Sequence, residues 1–382
     1  MNASGIPYRR LSAFYFFYFA SLGVLMPYWS LYLKSLHFDA QAIGTLIAIV
    51  PATKIFAPYL WGWIADQTRR PIQVVRLTSL FAVVSFAGVF FVSGFWWLAL
   101  VLLLFSVFWN SALPVFEATT LNHLGDSAHS YSSVRLWGSL GFILLVVLLG
   151  ERVEVAGIEG VPVVMLIMLT AIFAVSIFVP ERLNRVNEEQ GSIMHVIRQP
   201  GVLAFLLVCF LLLLSHGPYY TFYSIYLEDQ GYSRSLIGLL WAVGVMAEIV
   251  VFLLMFRLLP QFGARRLLLL ALSLTALRWS LIGFFVDNLA VLFVAQLFHA
   301  FSFGMFHAVS ISLVHRFFRG RHQGRGQALY ASISFGAGGA VGSMISGLLW
   351  DRIDHASLFS LAALTALIAA AIVWRFIYPD RV

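Results

Sequence analysis

The chain has 382 residues, of which 61% are AVILMFWYC and only 11% are charged. A soluble domain carries about 25% charged residues, so a water-soluble fold is excluded. The formal net charge is +7. The one cysteine, Cys209, lies in an apolar run, which excludes a disulfide framework and a cysteine metal site.

Apolar segments long enough to cross a bilayer fall at about 11–36, 43–64, 73–93, 95–120, 132–150 and 161–180. The polar stretch ERLNRVNEEQGSIMHVIRQP follows. Six more segments lie near 200–227, 235–257, 266–285, 289–315, 324–350 and 356–377. The predicted domains are a first six-helix half (1–180), a cytoplasmic linker (181–199) and a second half (200–382). The opening residues MNASGIPYRR run into an apolar segment too long for a signal peptide, so that segment is expected to be retained.

With the N-terminus inside, 17 of the 24 Lys and Arg fall in inner loops, among them Arg69, Arg70, Arg185, Arg265, Arg266, Arg321 and Arg381. Lys34, Arg152, Arg234 and Arg352 fall outside. This asymmetry predicts cytoplasmic termini. It accounts for the positive charge without a nucleic-acid partner, since the charges sit in alternate short loops.

SLYLKSLHFDAQAIGTL (30–46) matches SIYLEDQGYSRSLIGLL (224–240) at an offset of 194 residues, with identities such as Ser30/Ser224, Tyr32/Tyr226 and Gly44/Gly238. Both copies keep one orientation, which predicts parallel repeats. The expected fold is all-α: twelve transmembrane helices in two parallel six-helix repeats around a central cavity.

Five ionisable residues lie inside predicted helices: Lys54, Glu117, Arg135, Glu248 and Arg278. An unpaired charge there costs about 2.5–3.5 kcal/mol even on the lenient insertion scale, so each is a candidate functional group. The repeat offset carries Lys54 onto Glu248. Glu117 and Arg135, on consecutive helices, form either a substrate-binding pair or a structural salt bridge. Glu248 is the candidate proton site, with Arg278 on the next helix as the cation that modulates it. His307 is a candidate member of that relay. His299 lies eight residues earlier, about 12 Å along a helix, so the two cannot share a metal ion. A buried, hydrogen-bonded structural role is expected for His299. Tyr28 and Trp29 after Pro27, and Tyr219, Tyr220 and Tyr223 after Pro218, form either a ring-stacking wall for substrate or ordinary packing. GAGGAVGS (336–343) reads as a close-packing element. No GxxxxGK[ST] or HExxH motif is present. No cofactor, catalytic residue or metal is expected.

GWIADQTRRPI (62–72) resembles the loop signature of the major facilitator superfamily. Gly62, Asp66, Arg69 and Arg70 match it, and the resemblance implies that they gate the inner side. Gln67 stands where a basic residue is common. VRLWGSLGF (134–142), HGPYYTFYSIY (216–226), LWAVGVMAE (240–248), LRW (277–279) and HAFSFGMFH (299–307) resemble the phenylpropionate permease group, itself similar to lactose and nucleoside proton symporters. The resemblance implies substrate binding by Glu117 and Arg135 and proton coupling by Glu248, Arg278 and His307. The turn after His307 lacks the acid that lactose permease has there. The implied function is proton-coupled import of a small organic solute by alternating access, an aromatic carboxylate such as 3-phenylpropionate first. Nucleoside or sugar symport is the alternative, then drug export. The five charges sum to +1, or +2 with Glu248 protonated, which suits a monoanion. A sensor is disfavoured by the lack of an output domain. The chain is expected to act as a monomer in a bacterial-type inner membrane, its partners being the lipid bilayer and a small-molecule substrate, with the proton as coupling ion.

Overall fold

The computed structural model describes residues 6–182 and 193–377. Linker residues 183–192, with Arg185, and Arg381 lie outside this range, as does the side chain of Arg321. Every regular element among the described residues is helical. Among the described residues, eleven helices are long and apolar enough to cross a membrane. One of them, Arg234–Phe284, has 51 residues. At 1.5 Å per residue it would be roughly 77 Å long, far more than a hydrocarbon core of about 30 Å. Gly263 breaks it, with φ 74° and ψ 159°. The broken helix supplies two spans, so the twelve expected segments are all present.

These are α1 (Tyr8–Ser35), α2 (Ala40–Thr68), α3 (Pro71–Phe90), α4 (Phe95–Leu124), α5 (Tyr131–Ala156) and α6 (Ile158–Phe178), then α7 (Pro200–Asp229), α8 (234–262), α9 (264–284), α10 (Leu289–Phe317), α11 (Gln323–Leu349) and α12 (His355–Phe376). The helices form two compact units. One contains residues up to Phe38 and resumes at Thr53. The other contains Asp39–Ala52 and the second half of the chain. The repeat-based division assigned 39–52 to the first half. The chain leaves helical geometry at 54–56, between Pro51 and Pro58, so the two parts of α2 are separate rods. The first rod, Ala40–Thr53, packs on α11, where a Cβ on Gly44 would lie 2.6 Å from the Gly347 Cα.

In the first unit α1 packs on α5 and α6, and α3 packs on α4 and α6. In the second, α7 contacts α11 and α12. The α7–α11 crossing explains the small-residue run. A Cβ on Gly338 would lie 2.6 Å from the Phe210 carbonyl oxygen, and one on Gly342 2.6 Å from that of Leu214. Pro218 provides no N–H to the Leu214 carbonyl, four residues earlier, and α11 closes on the helix at that point. A Cβ on Gly62 would meet nothing within 4 Å. Gly342→Ala is therefore expected to cost about 1–3 kcal/mol through overpacking, and Gly62→Ala to be neutral or slightly stabilising. Thermal unfolding of both variants in detergent checks this, and equal midpoints would contradict it.

Candidate functional site

The first unit holds a charged pair. Glu117 on α4 and Arg135 on α5 approach to 3.9 Å through Arg135 Nε, with about a third of each side chain exposed. Tyr131, one helical turn before Arg135, donates its hydroxyl to Glu117 Oε1 at 3.1 Å. The guanidinium lies over the Phe19 ring at 3.7 Å and near the Tyr15 ring at 5.8 Å. Phe19 and Tyr15 are one turn apart on α1, so they present neighbouring rings to α5. The ion pair is long and uses only Nε. No described residue accepts a hydrogen bond from the Arg135 Nη atoms, which leaves the planar fork that recognises carboxylates available.

Lys54 sits half-buried in the break between the rods of α2, beside Thr53, whose hydroxyl accepts from Asn110 Nδ2 at 2.8 Å. Tyr28 and Trp29 are within the packing: Tyr28 donates to the Val146 carbonyl at 2.6 Å, and Trp29 packs on Tyr32 and Phe86. Both are under 2% exposed.

The second unit holds a buried network. Arg278 on α9 has no exposed surface. Its Nε donates to the Ala295 carbonyl at 3.0 Å, Nη1 to His299 Nδ1 and to Ser302 Oγ, each at 3.1 Å, and Nη2 to Gln296 Oε1 at 3.2 Å. The Tyr219 and Trp279 rings flank it at 4.1 and 4.7 Å. A guanidinium only donates, so His299 Nδ1 must accept, and the imidazole proton sits on Nε2. That Nε2 faces Glu248 Oε2 at 3.6 Å. The order is Glu248, His299, Arg278.

Two glycines allow α8 and α10 to approach this closely. A Cβ on Gly304 would lie 2.9 Å from Glu248 Cγ, and one on Gly244 3.3 Å from His299 Cβ. A π-helical turn, Ala300–Met305, begins directly after His299 and includes Ser302 and Gly304. Such turns add one residue per turn and re-aim the side chains beside them.

Sequence reading named His307 for this relay. The structure hydrogen-bonds His307 Nδ1 to the Tyr330 hydroxyl at 2.9 Å, between α10 and α11, and places His299 against Glu248 and Arg278. The expectation that His299 is buried and hydrogen-bonded matches its place, but its partners are the two candidate coupling residues. Gln296 was missed altogether. The usable signal was the spacing of Gln296, His299 and Ser302 at i, i+3 and i+6 along one face. Tyr219 and Tyr223 are fully buried and bond to Gln296, while Tyr220 stacks on His216 at 5.3 Å.

The predicted gating residues lie together. Gly62 and Asp66 are in the second rod of α2, Ala57–Thr68; Arg69 ends it at φ 54°, and Arg70 precedes α3. Glu181, also missed, accepts from the backbone N–H groups of Ile72 at 3.0 Å and Gln73 at 3.1 Å. An anion at a helix N-terminus is stabilising, so Glu181 anchors the start of α3 behind this loop.

The family model described as MFS_1 like family matches residues 8–361. The chain belongs to this family. This MFS_1-like protein is 29% identical over 369 residues to a probable 3-phenylpropionic acid transporter of Escherichia coli, covering 94% of this chain and 95% of that one. It is 25% identical to a maltose permease of Geobacillus stearothermophilus over 379 residues, covering 96% and 94%. A solved structure of a mutant of the nucleoside transporter NupG superposes with TM-score 0.85 at 15% identity, covering 97% of this chain and 100% of that one. This likeness establishes the fold. The protein is a multi-pass membrane transporter of the major facilitator type, and it is not an enzyme.

Proposed function

We propose that this MFS_1-like protein is a proton symporter that imports an aromatic monocarboxylate such as 3-phenylpropionate by alternating access. The observation that carries the reading is the buried order Glu248, His299, Arg278: a carboxyl facing a permanent cation through one imidazole. A carboxyl in a dry environment holds its proton more tightly, and a nearby cation loosens it. Movement of α8 against α10 changes that balance and so couples proton release to conformation. Glu248 is the proton carrier; His299 is locked as an Nε2–H donor and transmits the Arg278 field.

Arg135 is the substrate anchor. Its unused Nη edge suits a carboxylate, and the Phe19 and Tyr15 rings suit the aromatic ring. The name of the Escherichia coli relative supports this substrate class. A second reading, symport of a sugar or nucleoside, is favoured by one feature: Glu117 beside Arg135 and the Tyr131 hydroxyl offers acceptors and donors for hydroxyl groups. The protein acts as a monomer in a bacterial inner membrane with cytoplasmic termini, and Asp66, Arg69 and Arg70 gate its inner side.

Equilibrium binding of 3-phenylpropionate, nucleosides and sugars to the purified protein separates the two readings. Saturable 3-phenylpropionate binding that tightens at low pH is expected. Saturable binding of only nucleosides or sugars would sink the aromatic-acid reading.

A further inference from the structure

Arg278 is a buried cation with four named acceptors, and all four are uncharged: a backbone carbonyl, an imidazole nitrogen, a hydroxyl and an amide oxygen. No described carboxylate forms an ion pair with it. Buried charges are ordinarily paired, because a nearby opposite charge offsets lost solvation. The position best placed to supply that charge is 296. Gln296 is fully buried, and its Oε1 lies 3.2 Å from Arg278 Nη2. Glutamate has the same length and branching and would form the ion pair directly.

The amide is held in one orientation. Tyr219 donates to Oε1 at 3.0 Å, and Nε2 donates to the Tyr223 hydroxyl at 2.6 Å. Both tyrosines come from α7, one helical turn apart, so α7 fixes the amide. Gly244 of α8 leaves room for this group, since a Cβ there would lie 3.3 Å from Gln296 Oε1.

We propose that Gln296 is the uncharged neighbour that leaves Arg278 unneutralised, so that the full Arg278 charge acts on Glu248 through His299. This rests on the reading of Glu248 as the proton site. Among the described residues of this unit, the titratable or charged groups around the network are His216, Tyr219, Tyr220 and Tyr223 of α7, Glu248 of α8, Arg278 of α9, and His299 and His307 of α10, the last packed on Phe252 and Phe303. His216 Nδ1 donates to the Leu212 carbonyl at 2.8 Å, and its ring packs against Tyr220 and Trp279. Of these groups only Glu248 is a carboxylic acid. A second carboxylate at 296 would cancel the Arg278 field at Glu248 and add repulsion. Both changes favour the protonated form of Glu248.

The test needs no substrate. Infrared spectroscopy of the purified protein against pH reads the carboxylic C=O band that disappears in Glu248→Gln. For Gln296→Glu, the double variant with Glu248→Gln is subtracted, so the new carboxyl is not mistaken for Glu248. The midpoint of the Glu248 band is expected to rise by about one pH unit in Gln296→Glu. It is expected to stay put in Gln296→Met, which adds no charge and leaves Arg278 its bonds to Ala295, His299 and Ser302; a purely structural role for Gln296 predicts similar effects from both. A Glu248 band with an unmoved midpoint in Gln296→Glu overturns the inference alone. A shift of about one unit in Gln296→Met overturns it as well, whether or not the Gln296→Glu protein folds. Absence of any Glu248-dependent band overturns the proton-site reading and the inference with it.

Discussion

Glu248→Gln is expected to abolish proton-driven accumulation while leaving exchange of substrate across the membrane intact. The amide keeps the size of the carboxyl, and its oxygen can accept from His299 Nε2, which lies 3.6 Å from Glu248 Oε2. The α8–α10 contact therefore survives, as does the Gly304 notch that holds residue 248. What is lost is the ability to take up and release a proton. One pH unit is about 1.36 kcal/mol, so one proton per solute supports about tenfold accumulation. Wild-type proteoliposomes under a one-unit inward proton gradient are expected to approach that ratio, and Glu248→Gln to remain near onefold. Counterflow of preloaded substrate measures the retained exchange. Accumulation by Glu248→Gln above the equilibrium level contradicts the assignment.

Arg135→Ala carries the second large effect. Its guanidinium rests on Phe19 at 3.7 Å and meets Glu117 only at 3.9 Å through Nε. Removing the cation that pairs with a bound carboxylate costs about 2–5 kcal/mol, so binding of 3-phenylpropionate is expected to weaken by about 30-fold or more. Arg135→Lys retains the charge but loses the planar fork, and an intermediate loss is expected. Calorimetric titration of the purified variants measures both. An Arg135→Ala protein that binds like wild type removes Arg135 from the substrate site.

The architecture was legible because bilayer physics writes it into composition. Spans must be apolar and about 20 residues long, and the chain supplies twelve of them. The division of α2 was less legible. Pro51 and Pro58 were visible, but whether the first rod belongs with the first or second unit depends on Gly44 meeting Gly347, a contact between residues 303 positions apart.

At the candidate site the charged residues were legible and their grouping was not. Glu117 with Arg135 followed from adjacent helices at similar depth. Glu248 and Arg278 stood out as intramembrane charges. Their link through His299 was hidden because the choice between His299 and His307 depends on how α10 rotates past α8. The π-helical turn at Ala300–Met305 alters that rotation, and no simple 3.6-residue pattern reports it. Gln296 escaped notice because an uncharged amide in a membrane helix carries no large insertion cost. Its importance comes only from Arg278 and the two tyrosines around it. Glu181 was read as linker, since its partners are backbone N–H groups of α3 that any sequence would offer.

The central claim is that solute and proton move together through this protein. Proteoliposomes holding a trapped pH indicator, with no initial gradient, test it directly when 3-phenylpropionate is added outside. Protein-dependent uptake accompanied by internal acidification, absent in Glu248→Gln, is the predicted result. Protein-dependent uptake of the same solute with no movement of protons would contradict the account.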